Sequence, residues 1–410
     1  MVLLPRRRRL WTVVSLLAAL PAIGCSSKPS ESRAVQSWLG QSGQPVIRNR
    51  AADDVARFLA GLPGKPGSSF ADAEAQEEWK IHRREIDAMW RPVSERWLPA
   101  MTKFRQTELS VPPIQGSVIF YPFSGPDVLF PAIFFSNNRV CVMVGLEPAG
   151  TLPGLRGIEK TGMQHYLEGM REAVYSELHR SFFITREMDH DFRGEVTDGL
   201  TAPILLLLAR SGHTLLDFRY VRLDEQGNLV ERAADYRAPG KIGNKGIEID
   251  YADDADHSVH KLYYFSVNLA DDRLEANRPF LTYLARLKGM TTFLKATSYM
   301  LHNKSFVTIR EQVLALSSAV LQDDSGIPYR FFRSGAWRIQ LYGHYERPYG
   351  SFAYQEDPDL RAAYDGPAIK PLEFRIGYGF SRAPSNLLLA IRNDKIASRQ
   401  GSRLQPKPAL

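Results

Sequence analysis

The chain has 410 residues, 44% of them hydrophobic and 24% charged, which excludes collagen-like, mucin-like and wholly disordered proteins. The formal net charge is +7, from 52 basic and 45 acidic residues, and there are only two cysteines. This length corresponds to two or three domains' worth of chain, so we expect a large hydrophobic core.

The first 24 residues have the layout of a secretory signal. Four arginines at 6–9 precede the apolar segment Leu10–Ile23, whose 14 residues fall short of the roughly 20 that a bilayer span needs. The alternative, a buried N-terminal helix, would place four adjacent arginines beside the core. We therefore predict that residues 1–24 are a signal peptide. Its removal leaves 48 basic against 45 acidic residues, a net charge of +3.

The residues around Cys25 indicate a lipid anchor. The sequence Ala22-Ile23-Gly24-Cys25 resembles the bacterial lipobox, in which a cysteine that follows small residues is diacylated. The resemblance implies that Cys25 becomes the lipidated first residue, although Ala22 stands where lipobox proteins usually have leucine. The alternative is an ordinary signal peptidase, which would cut the same bond and leave Cys25 unmodified. Because Ser26, and not an aspartate, follows Cys25, the resemblance also implies the outer membrane, facing the periplasm, over the inner membrane.

Charge and cysteine content argue against a nucleic-acid partner and against a disulfide. Without the four leader arginines, no dense basic run with interleaved aromatic residues remains, so we expect no nucleic-acid binding. With Cys25 used as an anchor, Cys141 has no partner for an intramolecular disulfide. The apolar, β-branched neighbours of Cys141 predict a buried thiol in a strand, and no electropositive setting suggests a reactive one.

A tether and a helical layer are predicted for the next part of the chain. Residues 25–50 are rich in Ser, Gly, Gln and Pro, which is typical of a linker. A short helix is expected at 51–62. A long amphipathic helix is expected over 70–109, kinked at Pro92 and Pro99. Its stripe of aromatic and aliphatic residues could line a ligand site, but we interpret it as core.

Strands and helices alternate over the rest of the chain. Strands are expected at Gly116–Tyr121, Arg139–Leu146, Phe218–Val230, Gly246–Tyr251, Leu262–Val267, Ser318–Leu321, Trp337–Tyr345, Leu372–Gly379 and Leu387–Ile391. Helices are expected at 163–182, 203–210, 280–301 and 306–317, with Ser305 as the N-cap of the last. This order predicts an α/β fold, with a mixed α+β arrangement as the alternative.

Two segments that lie 201 residues apart resemble each other. Ser117–Phe120 leads to Ser124-Gly125-Pro126, and Ser318–Leu321 leads to Ser325–Pro328 at the same spacing. Each is followed by a second apolar strand that ends at a glycine. We interpret them as two related helix–strand–loop–strand halves, although short matches also arise by chance. Two such strands could pair side by side, with both Ser-Gly loops at one sheet edge.

The predicted domain organisation follows from these elements. It comprises a signal peptide (1–24), a lipidated tether (25–50), a helical N-terminal layer (51–109), a first α/β half (110–235), a β-hairpin insertion (236–275), a second α/β half (276–394) and a flexible tail (395–410).

The two Ser-Gly loops supply the candidate ligand-binding or active-site residues. These are Ser124, Asp127, Asp323, Asp324 and Ser325. Aspartic proteases carry Asp-Ser-Gly in each half, but Phe123 occupies the position of the first aspartate here. No Gly-x-Ser-x-Gly nucleophile elbow is present. Turn chemistry that closes two strands is the simpler explanation for each loop, so no catalytic residue is assigned.

No metal or cofactor is expected from the sequence. Acidic residues and histidines cluster at 187–191 and 253–260, but without the spacing of a known metal site. A glycine-rich basic stretch at 240–246 precedes a hairpin instead of a helix, so it lacks the helix N-terminus that would hold a phosphate.

Three segments resemble a known group of proteins. Tyr121–Asp127, Gly145–Pro148 and Leu321–Pro328 are similar to segments of an uncharacterised family of exported bacterial proteins, often lipoproteins. The resemblance spans residues 70–392 and implies export, but it transfers no catalytic role. The leading hypothesis is an envelope lipoprotein, attached to the membrane through Cys25, that binds a ligand such as a glycan or a protein partner. The alternative is a periplasmic hydrolase that uses both Ser-Gly loops.

Overall fold

The computed structural model describes residues 45–155, 157–183, 199–236, 244–332, 335–378 and 385–393. The predicted signal peptide, Cys25, the cluster at 187–191, residues 240–243 and the C-terminal tail lie outside these ranges. In the described part, helices pack on a single large mixed sheet, which confirms the predicted α/β class.

The sheet has eleven strands. They are β1 (Ile119–Pro122), β2 (Val140–Gly145), β3 (His213–Leu223), β4 (Leu229–Glu231), β5 (Lys245–Asp253), β6 (Val259–Ser266), β7 (Met290–Leu294), β8 (Ser317–Gln322), β9 (Trp337–Gly343), β10 (Ile369–Lys370) and β11 (Asn386–Arg392). Their order is β10-β9-β11-β8-β7-β1-β2-β6-β5-β3-β4. The central block β8-β7-β1-β2-β6 is parallel. Antiparallel pairing extends it to β9 on one side and to β4 on the other, and the edge strand β10 is parallel to β9.

Helices cover both faces of the sheet. They are α1 (Arg50–Leu59), α2 (Ala71–Glu74), α3 (Glu77–Pro92), α4 (Leu98–Phe104), α5 (Leu129–Phe134), α6 (Lys160–Arg180), α7 (Thr201–Arg210), α8 (Asp271–Leu274), α9 (Arg278–Ala285), α10 (Val307–Leu316) and α11 (Pro358–Tyr364). Side chains of α1 and α3–α7 share one core with one sheet face, and those of α8–α11 share a second core with the other. The parallel strands are therefore buried on both faces, as such sheets require.

The N-terminal helical layer forms as predicted. The long helical segment is interrupted by a π-helical turn at Val93–Trp97. This turn directly follows Pro92, whose backbone nitrogen has no hydrogen to donate to the helix hydrogen bonds. The apolar stripe is core, because Trp79, Ile86 and Met101 are buried. Cys141 is likewise a buried free thiol in β2, and burial raises its pKa.

Three expectations about elements are wrong. The helix expected at 280–301 ends at Ala285, and the next segment is β7, a fully buried strand rich in β-branched residues. No strand spans 372–378 in the described chain. Ser305 does not cap α10; the carboxylate of Asp271 accepts the hydrogen bonds of Val307 N and Thr308 N instead.

The strand pairing that was considered for the two related halves is not observed. The strands β1 and β8 do not lie side by side, because β7 is between them. The hairpin β5–β6 forms, but it is an integral part of the sheet between β2 and β3 instead of an appendage. Among the described residues, no helix combines the length and the apolar character needed to cross a bilayer.

Candidate functional site

The topology of the sheet places a crevice at the carboxyl ends of β1 and β7. The chain leaves β1 through α5 and returns in β2 on one side, whereas it leaves β7 through α10 and returns in β8 on the other side. β1 and β7 are parallel neighbours. The loops that leave their carboxyl ends run to opposite sides of the sheet, and a crevice lies between these loops. Crevices of this kind are where open α/β sheets bind their ligands.

A cavity of about 240 Å³ lies at this crevice. The loop after β1 contributes Ser124 and Asp127, and the loop after β7 contributes residues 295–298 and Met300. Aromatic side chains form much of the remaining wall: Phe123, Phe182, Phe183, Phe306 and Tyr378. The rim carries two of the chain's exposed large apolar side chains, Leu146 (66% exposed) and Met300 (37%).

The floor of the cavity is a buried ionic cluster around Lys295. The Lys295 ammonium forms an ion pair with Asp127 Oδ2 (2.7 Å) and donates hydrogen bonds to Glu177 Oε1 (3.0 Å) and to the carbonyl oxygen of Ser181 (2.7 Å). Tyr121 donates its phenolic hydrogen to the same Asp127 oxygen at 2.7 Å. The side chains of Lys295, Asp127 and Glu177 are each at most 3% exposed. Each ion thus depends on its partners, because water cannot compensate for a missing one.

Burial controls the ionisation of this cluster. Desolvation, followed by the negative charge of Asp127, raises the pKa of Glu177 to about 8, against the opposing effect of Lys295. This raised pKa favours the protonated form of Glu177 near neutral pH. Desolvation and Asp127 also raise the pKa of Tyr121 well above its usual value, so its hydroxyl remains a donor.

The second Ser-Gly loop, which contains Asp323 and Ser325, packs against the loop after β7, behind the wall of the cavity. Asp323 accepts hydrogen bonds from Ala296 N (2.8 Å) and from the Ser325 hydroxyl (2.5 Å), and Thr297 N donates to Ser325 Oγ (2.8 Å). Burial and the adjacent Asp324 carboxyl raise the pKa of Asp323 to about 7. Neither Asp323 nor Ser325 lines this cavity or the second cavity, which Asp324 faces. Their polar groups hold the loop after β7 in place.

Asp324 faces a second cavity of about 220 Å³. It accepts hydrogen bonds from the Tyr299 hydroxyl (2.6 Å) and the Asn386 amide (3.1 Å), while burial raises its pKa. Phe182 and Tyr378 line both cavities, so the two share a wall of aromatic rings. The exposed ring of Tyr349 contributes to the rim of the second cavity.

The loops around the cavities hold backbone conformations that side chains disfavour. Of the seven described non-glycine residues with positive φ, five lie here: Phe123, Ser181, Ala296, Ser298 and Tyr299. Each such residue costs of order 1–3 kcal/mol, and strain of this kind concentrates at functional sites. The hydrogen bonds from Asp323 and Ser325 to residues 296–297 offset part of that cost.

The structure thus divides the five candidates. Ser124 and Asp127 face the first cavity, Asp324 faces the second, and Asp323 and Ser325 are packed in the protein interior. Both loops contact the loop after β7, since Asp127 binds Lys295 and Asp323 binds Ala296. The Ser124 hydroxyl donates to the carbonyl oxygen of Gly125 and has no carboxylate partner. The two loops therefore do not bring their serines and carboxylates together in either of these two cavities.

The sequence patterns do not identify two residues of the floor, Lys295 and Glu177. Lys295 directly follows β7, but the apolar pattern of 280–301 predicts a helix, so a charge at a strand end is not recognised. Glu177 lies on the buried stripe of α6, three residues after Val174, and a carboxylate on an apolar stripe was the available signal.

Comparison with known proteins adds no assignment. The chain matches no protein-family model, no curated protein and no solved structure. Within the described residues, no group of three or more His, Cys, Asp or Glu side chains is arranged to hold a metal ion.

Proposed function

We propose that this protein is a ligand-binding protein of the bacterial envelope, and that the cavity at the carboxyl ends of β1 and β7 is its binding site. The observation that carries the proposal is the coincidence of that cavity with the sheet's switch point. An apolar cavity with a few convergent polar groups is the usual form of a small-molecule site.

The shape and lining of the two cavities indicate the kind of ligand. Aromatic rings form the walls, and the polar groups of Ser124, Thr297 and Ser298 lie among them. Each cavity is smaller than the usual ligand site of about 300–1,000 Å³, but their combined volume falls within that range. We therefore propose a ligand with an apolar or aromatic body and a hydrogen-bonding end, such as an aromatic side chain of a peptide.

Removal of the apolar rim should weaken binding of such a ligand. The ligand is first identified by a thermal-shift screen of aromatic small molecules, peptides and envelope glycans, since a ligand of the native state raises the unfolding temperature. In the double variant Leu146→Ala/Met300→Ala, we expect the dissociation constant to rise roughly tenfold, as about 1.4 kcal/mol of apolar contact is lost. Isothermal titration calorimetry measures this constant.

Tyr354→Ala is the matched control for this experiment, because Tyr354 is 78% exposed and lines neither cavity. Its dissociation constant should equal that of the wild type. An equal loss of affinity in the control and the rim variant would place the ligand elsewhere and refute the proposed site.

We also propose that the protein is exported and attached to the outer membrane through a lipid on Cys25, facing the periplasm. The basic run at 6–9, the apolar segment 10–23 and the lipobox-like residues 22–25 support this. Residues 26–44 of the predicted tether then lie between the anchor and residue 45, from which the structure describes the chain.

Labelling of cells with a palmitate analogue tests the anchor. We expect the wild-type protein to incorporate label and to partition with membranes, and the Cys25→Ala variant to do neither. Cys141→Ala is the control, because the Cys141 thiol is buried and should not affect labelling. Equal labelling of the wild type and Cys25→Ala would show that Cys25 is not the anchor.

A further inference from the structure

We propose that the first cavity recognises an organic cation, an aromatic or apolar amine whose ammonium group pairs with Asp127 and Glu177 at the floor. This inference rests on the proposed function and names the ligand class of the same site. It follows from hydrogen-bond satisfaction, the charge of the lining and the chemistry of the walls.

The donors of the floor are already used. The Lys295 ammonium donates hydrogen bonds to Glu177 and Ser181 and forms an ion pair with Asp127 at 2.7 Å. Its side chain is 1% exposed, so a ligand carboxylate or phosphate would have to compete with these protein groups for it. Two buried oxygens of the floor have no hydrogen-bond partner among the described residues, namely Asp127 Oδ1 and Glu177 Oε2. When Glu177 is ionised, both are acceptors, so a ligand that satisfies them must bring N–H groups.

The charged side chains that line the cavity also favour a cationic ligand. The charged side chains around the cavity are the carboxyls of Asp127, Glu147 and Glu177 and the single ammonium of Lys295. With an excess of carboxyl groups, an anionic ligand would be repelled and a cation attracted. The rings of Phe123, Phe182, Phe183, Phe306 and Tyr378 add π-faces, which attract ammonium groups.

Binding of a cation at the floor is linked to a proton. Three groups face Glu177: Asp127 from the loop after β1, Lys295 from the loop after β7 and Tyr121 from β1. The charge of Asp323 acts on Tyr121, and the charge of Asp127 acts on Cys141. Because burial and the charge of Asp127 raise the pKa of Glu177 to about 8, Glu177 holds a proton in the free protein at neutral pH under this proposal. An arriving ammonium takes the place of this proton, so amine binding releases a proton and neutral ligands do not.

A matched series of three ligands tests the inference. Phenethylamine, 2-phenylethanol and phenylacetate share a ring and differ in charge. Isothermal titration calorimetry gives their dissociation constants at pH 6, 7, 8 and 9, in buffers of different ionisation enthalpy, which also count released protons. We expect phenethylamine to bind best, with its affinity rising about tenfold per pH unit up to pH 8 and then levelling off.

Glu177→Gln separates the proton from the shape of the cavity. The carboxamide can still accept from Lys295 and donate to Asp127, but it cannot ionise. We expect this variant to lose both the pH dependence and the proton release, and to bind the amine no better than the alcohol. Glu172→Gln, on the exposed face of the same helix, is the control and should behave as the wild type.

The possible results distinguish the two proposals. If the alcohol or phenylacetate binds as tightly as the amine, and the rim variant weakens them all, the cavity is a binding site but the cation inference fails. If Glu177→Gln leaves proton release unchanged, the inference also fails. If no member of the series binds at millimolar concentration, the inference fails, and the thermal-shift screen then decides on the proposed function independently.

Discussion

Replacement of Lys295 by methionine is expected to destabilise the protein by about 3–5 kcal/mol, the usual cost of removing one partner from a buried ion pair. The variant keeps most of the side-chain volume but removes the ammonium that binds Asp127 and Glu177. Asp127 would then remain buried with only the Tyr121 hydroxyl as a partner among the bonds described. The free energy of unfolding in urea at pH 7 measures this effect.

A rescue and a surface control make the result specific. The double variant Lys295→Met/Asp127→Asn should recover part of the lost stability, because it removes the charge that the first substitution leaves unpaired. Lys103→Met breaks the exposed pair with Glu373, which is worth at most about 1 kcal/mol. If Lys295→Met is no more destabilising than Lys103→Met, the cluster does not stabilise the fold and its charges are better solvated than the structure indicates.

Gly377→Ala is expected to give the second-largest loss of stability. Gly377 has a φ of +61°, and a Cβ at this position would overlap Asp323 Oδ2, the oxygen that accepts from Ala296 N. The left-handed backbone costs alanine roughly 1–2 kcal/mol. Displacement of Asp323 adds about 1–3 kcal/mol for a buried hydrogen bond that is lost. Urea unfolding measures the total.

Gly350→Ala isolates the backbone contribution. Gly350 has a similar φ of +60°, but no atom lies within 4 Å of a Cβ built there. Gly350→Ala should therefore lose only the stability that the left-handed backbone costs alanine. The difference in unfolding free energy between the two variants then measures the clash with Asp323. Equal losses in both would mean that Asp323 moves without cost and does not hold the loop after β7. Gly377→Ala should additionally weaken ligand binding in the first cavity, since residues 296–298 line it.

Local pattern was sufficient for most elements of the described fold. The apolar stripe of α3 and α4, the strands β1 and β2, the hairpin β5–β6 and the strand β11 were each predicted from periodicity of 3.6 or 2 residues and from turn residues at their ends. The failure at β7 has a physical reason. A five-residue strand that is buried on both faces shows no alternation, so its apolar residues can be assigned equally well to a helix.

The candidate site was predictable only in part. Asp127 and Ser124 follow a buried strand and carry turn chemistry, so a local signal identified them. Lys295 and Glu177 have no such signal for their pairing, because they are 118 residues apart in the chain. The separation of Asp324 from Asp127 into two cavities depends on β7, which lies between the strands that precede them.

The sequence by itself therefore determined the α/β class, the helical N-terminal layer, the buried state of Cys141 and the loops in which polar residues end two parallel strands. These properties depend on neighbours within a few residues, where hydrophobic period and turn preference act. Only the tertiary structure decided that β7 separates β1 from β8 and that Lys295 joins Asp127 to Glu177. It also decided that one carboxyl oxygen of each of these two acidic residues has no hydrogen-bond partner among the described residues. Those properties depend on contacts between distant segments in a water-excluded interior, where the energy of a charge is set by its partners and not by its position in the chain.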